Sequence, residues 1–156
     1  MKSLGLISCT KSKRNYPCRA SEMYSASDLF RKAYSYATKN YDFVAILSAK
    51  YGLLFPDDEM EPYNLTLNNM QSQQRKEWAE KVLNQMQNRL KLEDCKVFFH
   101  AGKKYREHLA SKLRTIGIQC ETPLEGLGIG KQKAWYSARA KRAHKTGINK
   151  LSESVV

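Results

Sequence analysis

The sequence predicts an α/β fold: a single three-layer domain with a small, mostly parallel sheet flanked by helices. Short apolar runs with the composition of strands buried on both faces alternate with segments in which apolar residues recur at helical spacing. The chain has 156 residues, which is enough for one domain with a core and too few for two. We assign residues 1–135 to the α/β domain and residues 136–156 to a basic C-terminal helix or tail.

The first half of the chain predicts a strand, a helix and a second strand. Residues 4–8 form an apolar run that leads into polar, turn-forming residues, as is typical of a buried parallel strand. Ser27 is a suitable N-cap for a helix that continues to Asn40. Residues 43–48 predict the second strand, and the apolar and aromatic content of residues 49–68 predicts an ordered loop that packs on the domain.

The second half continues the alternation of helices and strands. A polar helix is predicted over residues 69–92, because its apolar residues fall on one helical stripe. The elements that follow are a strand at 96–100, a helix at 103–116, a short strand at 118–121 and a glycine-rich loop at 122–130. Strands separated by helices imply crossover connections, and crossover connections join parallel strands.

The composition favours a polyanionic partner. Lys and Arg number 27 against 15 Asp and Glu, which gives a net charge of +12, so we predict a nucleic acid or nucleotide as the partner. No run of about 18 apolar residues is present, so we expect no membrane partner. The first apolar run is too short for a signal peptide, which predicts a cytoplasmic location. The cysteines contain no C-x-x-C pair, so we expect reduced thiols, no metal and no cofactor.

The predicted ligand site lies at the carboxyl ends of the strands, where parallel α/β sheets bind their ligands. Each segment that leaves these ends combines lysine with small or hydroxyl residues, which can present ammonium and backbone N–H groups to a phosphate. The alternative is that these loops are only polar and exposed. We expect Lys11, Lys13 and Lys50 to bind phosphate, and Tyr51 and Tyr63 to stack on a base or shape its pocket. The other predicted ligand-binding residues are Ser8, Cys9, Ser48, Gly102, Gly128, Gly130 and Gln132.

The candidate catalytic residues are Asp57, Glu125 and Lys50. A carboxylate beside a bound ribose can act as a general base or stabilise an oxocarbenium ion. Cys9 lies at a strand end, where a nucleophile could act, but it has no obvious histidine partner, which favours the role of a buried small residue. His100 also lies at a strand end, and we expect its role to be structural.

A basic segment without acidic residues extends over residues 131–150, directly after the glycine-rich loop. Trp135 and Tyr136 are interleaved with its charges, and cations combined with aromatic rings are typical of sites for single-stranded or flipped nucleotides. The alternative is a solvated helix that places Trp135 and Tyr136 in the core, and the two interpretations are compatible. The predicted nucleic-acid-binding residues are Lys131, Lys133, Arg139, Lys141 and Arg142.

Several motifs resemble those of known families. Residues 51–56 and 61–65 resemble the tyrosine-glycine, proline and proline-tyrosine signature of the YaaA family of peroxide-stress proteins, and residues 7–11 resemble its first-strand motif. That family is DNA-binding and linked to limiting oxidative DNA damage, so the resemblance implies a DNA or nucleotide partner. The chain up to about Trp135 is also similar to a family of short, uncharacterised bacterial and phage proteins. Its shared motifs lie at 8–11, 24–31, 47–54 and 123–132.

Two functions follow as hypotheses. The first is an enzyme that acts on a nucleotide or base, with cleavage or exchange of an N-glycosidic bond as the favoured reaction. The alternative is a non-catalytic DNA- or RNA-binding module in which the basic C-terminal segment supplies the binding. An accessory protein that binds another protein is a third possibility, and the oligomeric state stays open.

Overall fold

The computed structural model describes the backbone of residues 1–155 and the side chains of residues 1–142. The strands are β1 Lys2–Ser8, β2 Cys18–Arg19, β3 Phe43–Ser48, β4 Gly52–Leu54, β5 Glu59–Met60, β6 Cys95–His100 and β7 Cys120–Glu121. The helices are α1 Ala20–Met23, α2 Asp28–Asn40, α3 Ser72–Arg89, α4 Lys103–Thr115 and α5 Ile129–Val155. None of the helices within this described part of the chain combines the length and apolarity of a membrane span.

Five strands form the main sheet, in the order β4–β3–β1–β6–β7. β1 is central and pairs in parallel with β3 and β6, β7 is parallel to β6, and β4 is antiparallel to β3. The chain leaves β1 for β3 on one side and later reaches β6 on the other, so the winding direction reverses at β1. Right-handed crossovers in opposite directions place α2 and α3 on opposite faces of the sheet. α5 packs on α2 and α4 packs on α3, which confirms the predicted three-layer α/β class.

The central strand shows why this sequence forms a buried parallel sheet. Leu4 and Leu6 have no exposed surface and Ile7 is only 2% exposed, because helices cover both faces of β1. Gly5 lies between them in the same strand. A Cβ atom at this position would collide with the ring of Tyr41, so the packing of the ring against the strand requires glycine.

Helix starts follow the capping chemistry of the sequence. The Ser27 hydroxyl accepts a hydrogen bond from the Phe30 N–H at 3.2 Å, as predicted for the N-cap of α2. α3 begins at Ser72, three residues later than predicted, because residues 67–69 form a separate 3-10 turn. The side chains of Gln71 and Gln74 form a capping box at this start.

The segment 49–68 contains strands that the sequence analysis described as loop. Gly52 has a φ of +79°, which allows the tight turn after β3 and lets β4 return antiparallel along the sheet edge. β5 pairs with β2 in a separate two-stranded ribbon. The prediction that this segment is ordered and packs on the domain is confirmed, since Leu53 and Met60 are buried.

The basic C-terminal segment begins as helix α5 at Ile129. The helix passes through the predicted division at residues 135 and 136 without a break, and the Tyr136 side chain is only 4% exposed. The first turns of α5 therefore belong to the packed domain. The side chains of residues 143–156, which include the basic residues Lys145 and Lys150, lie outside the described residues.

Candidate functional site

The carboxyl ends of β1, β3 and β6 meet at one edge of the sheet, as predicted. β1 ends at Ser8, β3 at Ser48 and β6 at His100. Because the winding direction reverses at β1, this edge is the topological switch point at which open α/β sheets bind ligands. A large cavity lies beside the end of β1 and the start of α4. Two smaller recesses lie beside α5, and one of them also borders α2 while the other borders the start of α4.

The large cavity has a volume of about 620 Å³, which is within the range of small-molecule binding sites. Three segments build it: the loop that follows β1, the loop that precedes α3, and the first turn of α4. The described residues that line it are Cys9, Thr10, Lys11, Lys13, Arg14, Asn15, Pro62, Tyr63, Asn64, Leu65, Thr66, Asn68, Asn69 and Tyr105.

A network of buried hydroxyl groups fixes one wall of the cavity. The Tyr63 hydroxyl accepts a hydrogen bond from Ser48 Oγ at 2.9 Å and lies 2.7 Å from the Tyr24 hydroxyl. Ser48 in turn accepts a hydrogen bond from the Tyr51 N–H at 3.0 Å. Burial raises the pKa of both Tyr24 and Tyr63 well above the ordinary value, so both side chains remain neutral phenols that can donate hydrogen bonds. The wall is therefore rigid and uncharged.

Tyr105 fixes the opposite wall. Its hydroxyl accepts hydrogen bonds from Cys9 Sγ and from the Leu67 N–H, both at 3.4 Å, and thus ties the end of β1 to the loop before α3. Burial raises the pKa of Tyr105 to about 12, so this phenol is also neutral at physiological pH. The Cys9 thiol is 9% exposed and is the one thiol among the described lining residues of the cavity.

Cations dominate the mouth of the cavity. Lys13 Nζ lies 4.7 Å from the centre of the Tyr63 ring, a cation–π distance, while Lys11 and Arg14 are exposed. None of the described residues that line this cavity is acidic. The remaining polar groups are amides and hydroxyls, which both donate and accept hydrogen bonds. This chemistry suits an anionic ligand with hydrogen-bonding edges.

The smaller recesses, of about 200 and 180 Å³, share a wall formed by His100, Gly102, Gln132 and Tyr136. His100 is held from both sides: one ring nitrogen lies 2.7 Å from the Tyr136 hydroxyl, and the other lies 2.6 Å from the Tyr41 hydroxyl. Burial lowers the pKa of His100 to about 4, so the ring is neutral at physiological pH. These contacts give His100 a structural role, which joins α5 to the sheet.

The structure brings four of the predicted ligand-binding residues to the large cavity: Cys9, Lys11, Lys13 and Tyr63. Ser48 lies directly behind Tyr63 in the hydroxyl network. Ser8, Gly102 and Gln132 line the smaller recesses. The predicted ligand-binding set is thus divided between the large cavity and the smaller recesses.

The predicted catalytic residues do not lie together. The Asp57 side chain is 89% exposed and lies 3.6 Å from Arg19, away from the cavity. Glu125 lines a smaller recess and is paired with Arg106 at 3.6 Å. Lys50 is exposed, with its Nζ 5.3 Å from the centre of the Tyr51 ring. Within residues 1–142, no group of three or more His, Cys, Asp or Glu side chains is arranged to hold a metal ion.

The predicted residues of the glycine-rich loop and of the basic segment after it lie between Gly128, just before α5, and Arg142, about four turns into that helix. At Gly128 and Gly130, the position that a Cβ atom would occupy has no described atom within 4 Å, so the packing of the protein does not require glycine there. Lys131, Lys141 and Arg142 are exposed. Lys133 Nζ lies 3.7 Å from Asp28, and the Arg139 guanidinium lies 3.5 Å from the centre of the Trp135 ring.

Sequence reasoning missed several residues of the cavity. Tyr105 belongs to a segment that leaves a predicted strand end but was not named as a ligand-binding residue, and Arg14, Asn64, Thr66 and Asn68 were not named either. A usable signal was present, because Tyr105 follows the carboxyl end of the third predicted strand by five residues. The loop residues carry no comparable pattern, since their position depends on how the segment before α3 folds back over β1.

The chain matches, over residues 4–138, a family described as a family of unknown function (DUF6884). The chain belongs to this family. The match extends from β1 into α5, so it includes both sides of the sheet edge and the Tyr136 wall. No curated protein and no solved structure matches the chain.

Proposed function

We propose that the protein binds a nucleotide, free or within a nucleic acid, in the 620 Å³ cavity at the carboxyl edge of the sheet. The observation that supports the proposal is the lining of this cavity. Lys11, Lys13 and Arg14 lie at its mouth without a carboxylate among the described lining residues, which suits phosphate. The amides of Asn64 and Asn68 offer the donor and acceptor pairs that recognise the edge of a base.

Two observations outside the cavity agree with this proposal. The net charge of +12 attracts polyanions and raises their local concentration near the mouth of the cavity. The resemblance of residues 51–56 and 61–65 to the YaaA signature points to a DNA or nucleotide partner. We place the protein in the cytoplasm, and its four unpaired cysteines agree with a reducing compartment.

The predicted reaction, cleavage or exchange of an N-glycosidic bond, receives less support than binding. Such reactions use a carboxylate close to the sugar. Asp57 and Glu125 both lie outside the large cavity, so they are not placed to act on a ligand bound there. We therefore propose a binding function for the cavity and assign no catalytic role to these two carboxylates.

A titration with a mixed panel tests the proposal: mononucleotides, single-stranded and duplex DNA, and RNA, each at low and high salt. Lys13→Ala should weaken mononucleotide binding by about tenfold or more, as expected for loss of one charged phosphate contact. Lys76→Ala is the matched control, because it removes the same charge from an exposed side chain on α3 that lies outside the cavity. Binding that occurs only with long polymers and weakens equally in both variants would contradict the proposal and favour the non-catalytic module.

A further inference from the structure

A second positively charged depression lies away from the cavity, between α2 and α5. It is a groove of about 400 Å³. The described residues that line it are Asp28, Arg31, Lys32, Ser35, Tyr36, Lys39, Asn40, Tyr136, Ser137, Arg139 and Ala140. From Arg31 to Lys39 the groove extends about 12 Å along the helix axis, which is the length of several phosphate intervals of a nucleic-acid strand.

The charge of this groove is strongly unbalanced. Four of its described lining residues are cations, and Asp28 is the one acidic residue among them. Asp28 is shared by Arg31 at 3.3 Å and Lys32 at 3.5 Å, and by Lys133 from α5 at 3.7 Å. One carboxylate therefore offsets only a fraction of the positive charge around it, and Lys39 adds a further exposed cation at the far end of the groove.

The packing of the two helices does not depend on these cations. Aromatic rings hold α2 and α5 together: the centres of Tyr36 and Trp135 are 4.9 Å apart, and those of Tyr36 and Tyr136 are 5.8 Å apart. The central carbon of the Arg139 guanidinium lies 3.5 Å from the centre of the Trp135 ring, a cation–π contact that restrains the cation beside the groove. An ordered guanidinium at the rim is well suited to a phosphate group.

We propose that the groove between α2 and α5 binds the phosphodiester backbone of a nucleic-acid strand, so that the ligand is a polymer rather than a free nucleotide. The chemistry of the partner rests on the proposed nucleotide-binding function, but the groove and the cavity are separate sites. Because the aromatic rings are engaged in the packing of α2 on α5, the groove offers positive charge rather than stacking, and the regular phosphates of a nucleic-acid strand match this row of cations better than the irregular charges of an acidic peptide.

The test compares two charge-reversed variants of the full chain. Lys39→Glu/Arg139→Glu changes the groove, and Lys76→Glu/Arg114→Glu makes the same change of charge on α3 and α4, where both side chains are exposed. Affinity for a labelled single-stranded oligonucleotide and for a mononucleotide is measured over a series of salt concentrations. The groove variant should lose at least about tenfold in oligonucleotide affinity, and its log–log salt slope should fall by about 1.4, which corresponds to two lost phosphate contacts. The control should keep the slope of the original protein.

The outcomes separate this inference from the proposed function. Equal losses of oligonucleotide affinity in both variants would contradict the proposed groove site, because the net charge of the protein would then explain binding. Efficient displacement of the oligonucleotide by polyglutamate would overturn it in favour of an acidic protein partner. If no mononucleotide binds but the salt slope of oligonucleotide binding still falls in the groove variant, the proposed cavity site is contradicted and the proposed groove site is supported. Lys39→Gln/Arg139→Gln repeats the test with milder substitutions if the reversed pair does not fold.

Discussion

Tyr63 contributes to the cavity in two ways, through its ring and through its hydroxyl. The ring lies beneath Lys13, and the hydroxyl joins Ser48 and Tyr24 in the buried network. Sequence analysis selected Tyr63 and Lys13 but not Tyr24, which precedes α2 and reaches the network from a different element. The position of Lys13 was therefore predictable from the end of β1, whereas the partners that come from distant elements were not.

Tyr63→Phe should destabilise the fold, because it removes one hydroxyl and leaves the buried hydroxyls of Ser48 and Tyr24 with fewer partners. We expect a loss of roughly 1–3 kcal/mol in the free energy of unfolding, measured by urea denaturation. Tyr16→Phe is the matched control, since Tyr16 is 50% exposed, and its effect should stay within about 0.5 kcal/mol. Equal effects in the two variants would contradict the hydroxyl network.

At the scale of elements, regular segments were predicted well and the connection between β3 and α3 was not. Apolar runs and the Ser27 cap located β1, β3, β6 and α2, because local sequence determines them. β4 depends instead on the turn at Gly52 and on an available edge of β3, and neither is visible in the periodicity of residues 49–68. The position of Asp57 and Glu125 outside the large cavity was not predictable for the same reason, since their distances from it depend on long-range packing.

Glycine substitutions test this contrast between elements. Gly5→Ala should destabilise the protein by roughly 1–3 kcal/mol, because its Cβ meets the Tyr41 ring inside the sheet. Gly130→Ala in α5 has open space and should be neutral or stabilising by up to about 1 kcal/mol. Thermal or chemical denaturation measures both effects. A marked loss of ligand binding in Gly130→Ala without loss of stability would support the predicted ligand role of the glycine-rich loop.

At the scale of the whole molecule, His100 joins the sheet to the helical layer formed by α2 and α5. Its ring joins β6 to Tyr136 on α5 and to Tyr41 after α2. The sequence predicted the layers because strand and helix patterns alternate, and it predicted the sheet edge as the ligand site because parallel strands share that edge. It did not predict that α5 packs through Tyr36, Trp135 and Tyr136, since interleaved aromatic residues suit a core and a binding surface equally well.

The stability of the whole fold should depend on the protonation of His100. Its pKa is about 4 in the folded protein and has an ordinary value of 6.5, so between these pH values the unfolded chain binds the proton more strongly. The free energy of unfolding should therefore fall as pH decreases from 6.5 to 4, by on the order of 3 kcal/mol in total, and this group should contribute no slope above pH 7. Urea denaturation of the original protein and of His100→Gln at pH 7 and pH 5 measures this change in the free energy of unfolding. If the free energy of unfolding of His100→Gln depends on pH as strongly as that of the original protein, His100 is not the group responsible.

The central position of β1 affects how the chain folds. Leu4 pairs with Phe43 on one side and with Val97 on the other, so the first strand acquires its second neighbour only when most of the chain is available. During synthesis the nascent chain therefore carries a hydrophobic strand with an open edge until β6 has left the ribosome, and contacts this distant in sequence slow folding. An unpaired hydrophobic edge can pair with another chain, so the incomplete chain is more exposed to aggregation than the folded domain.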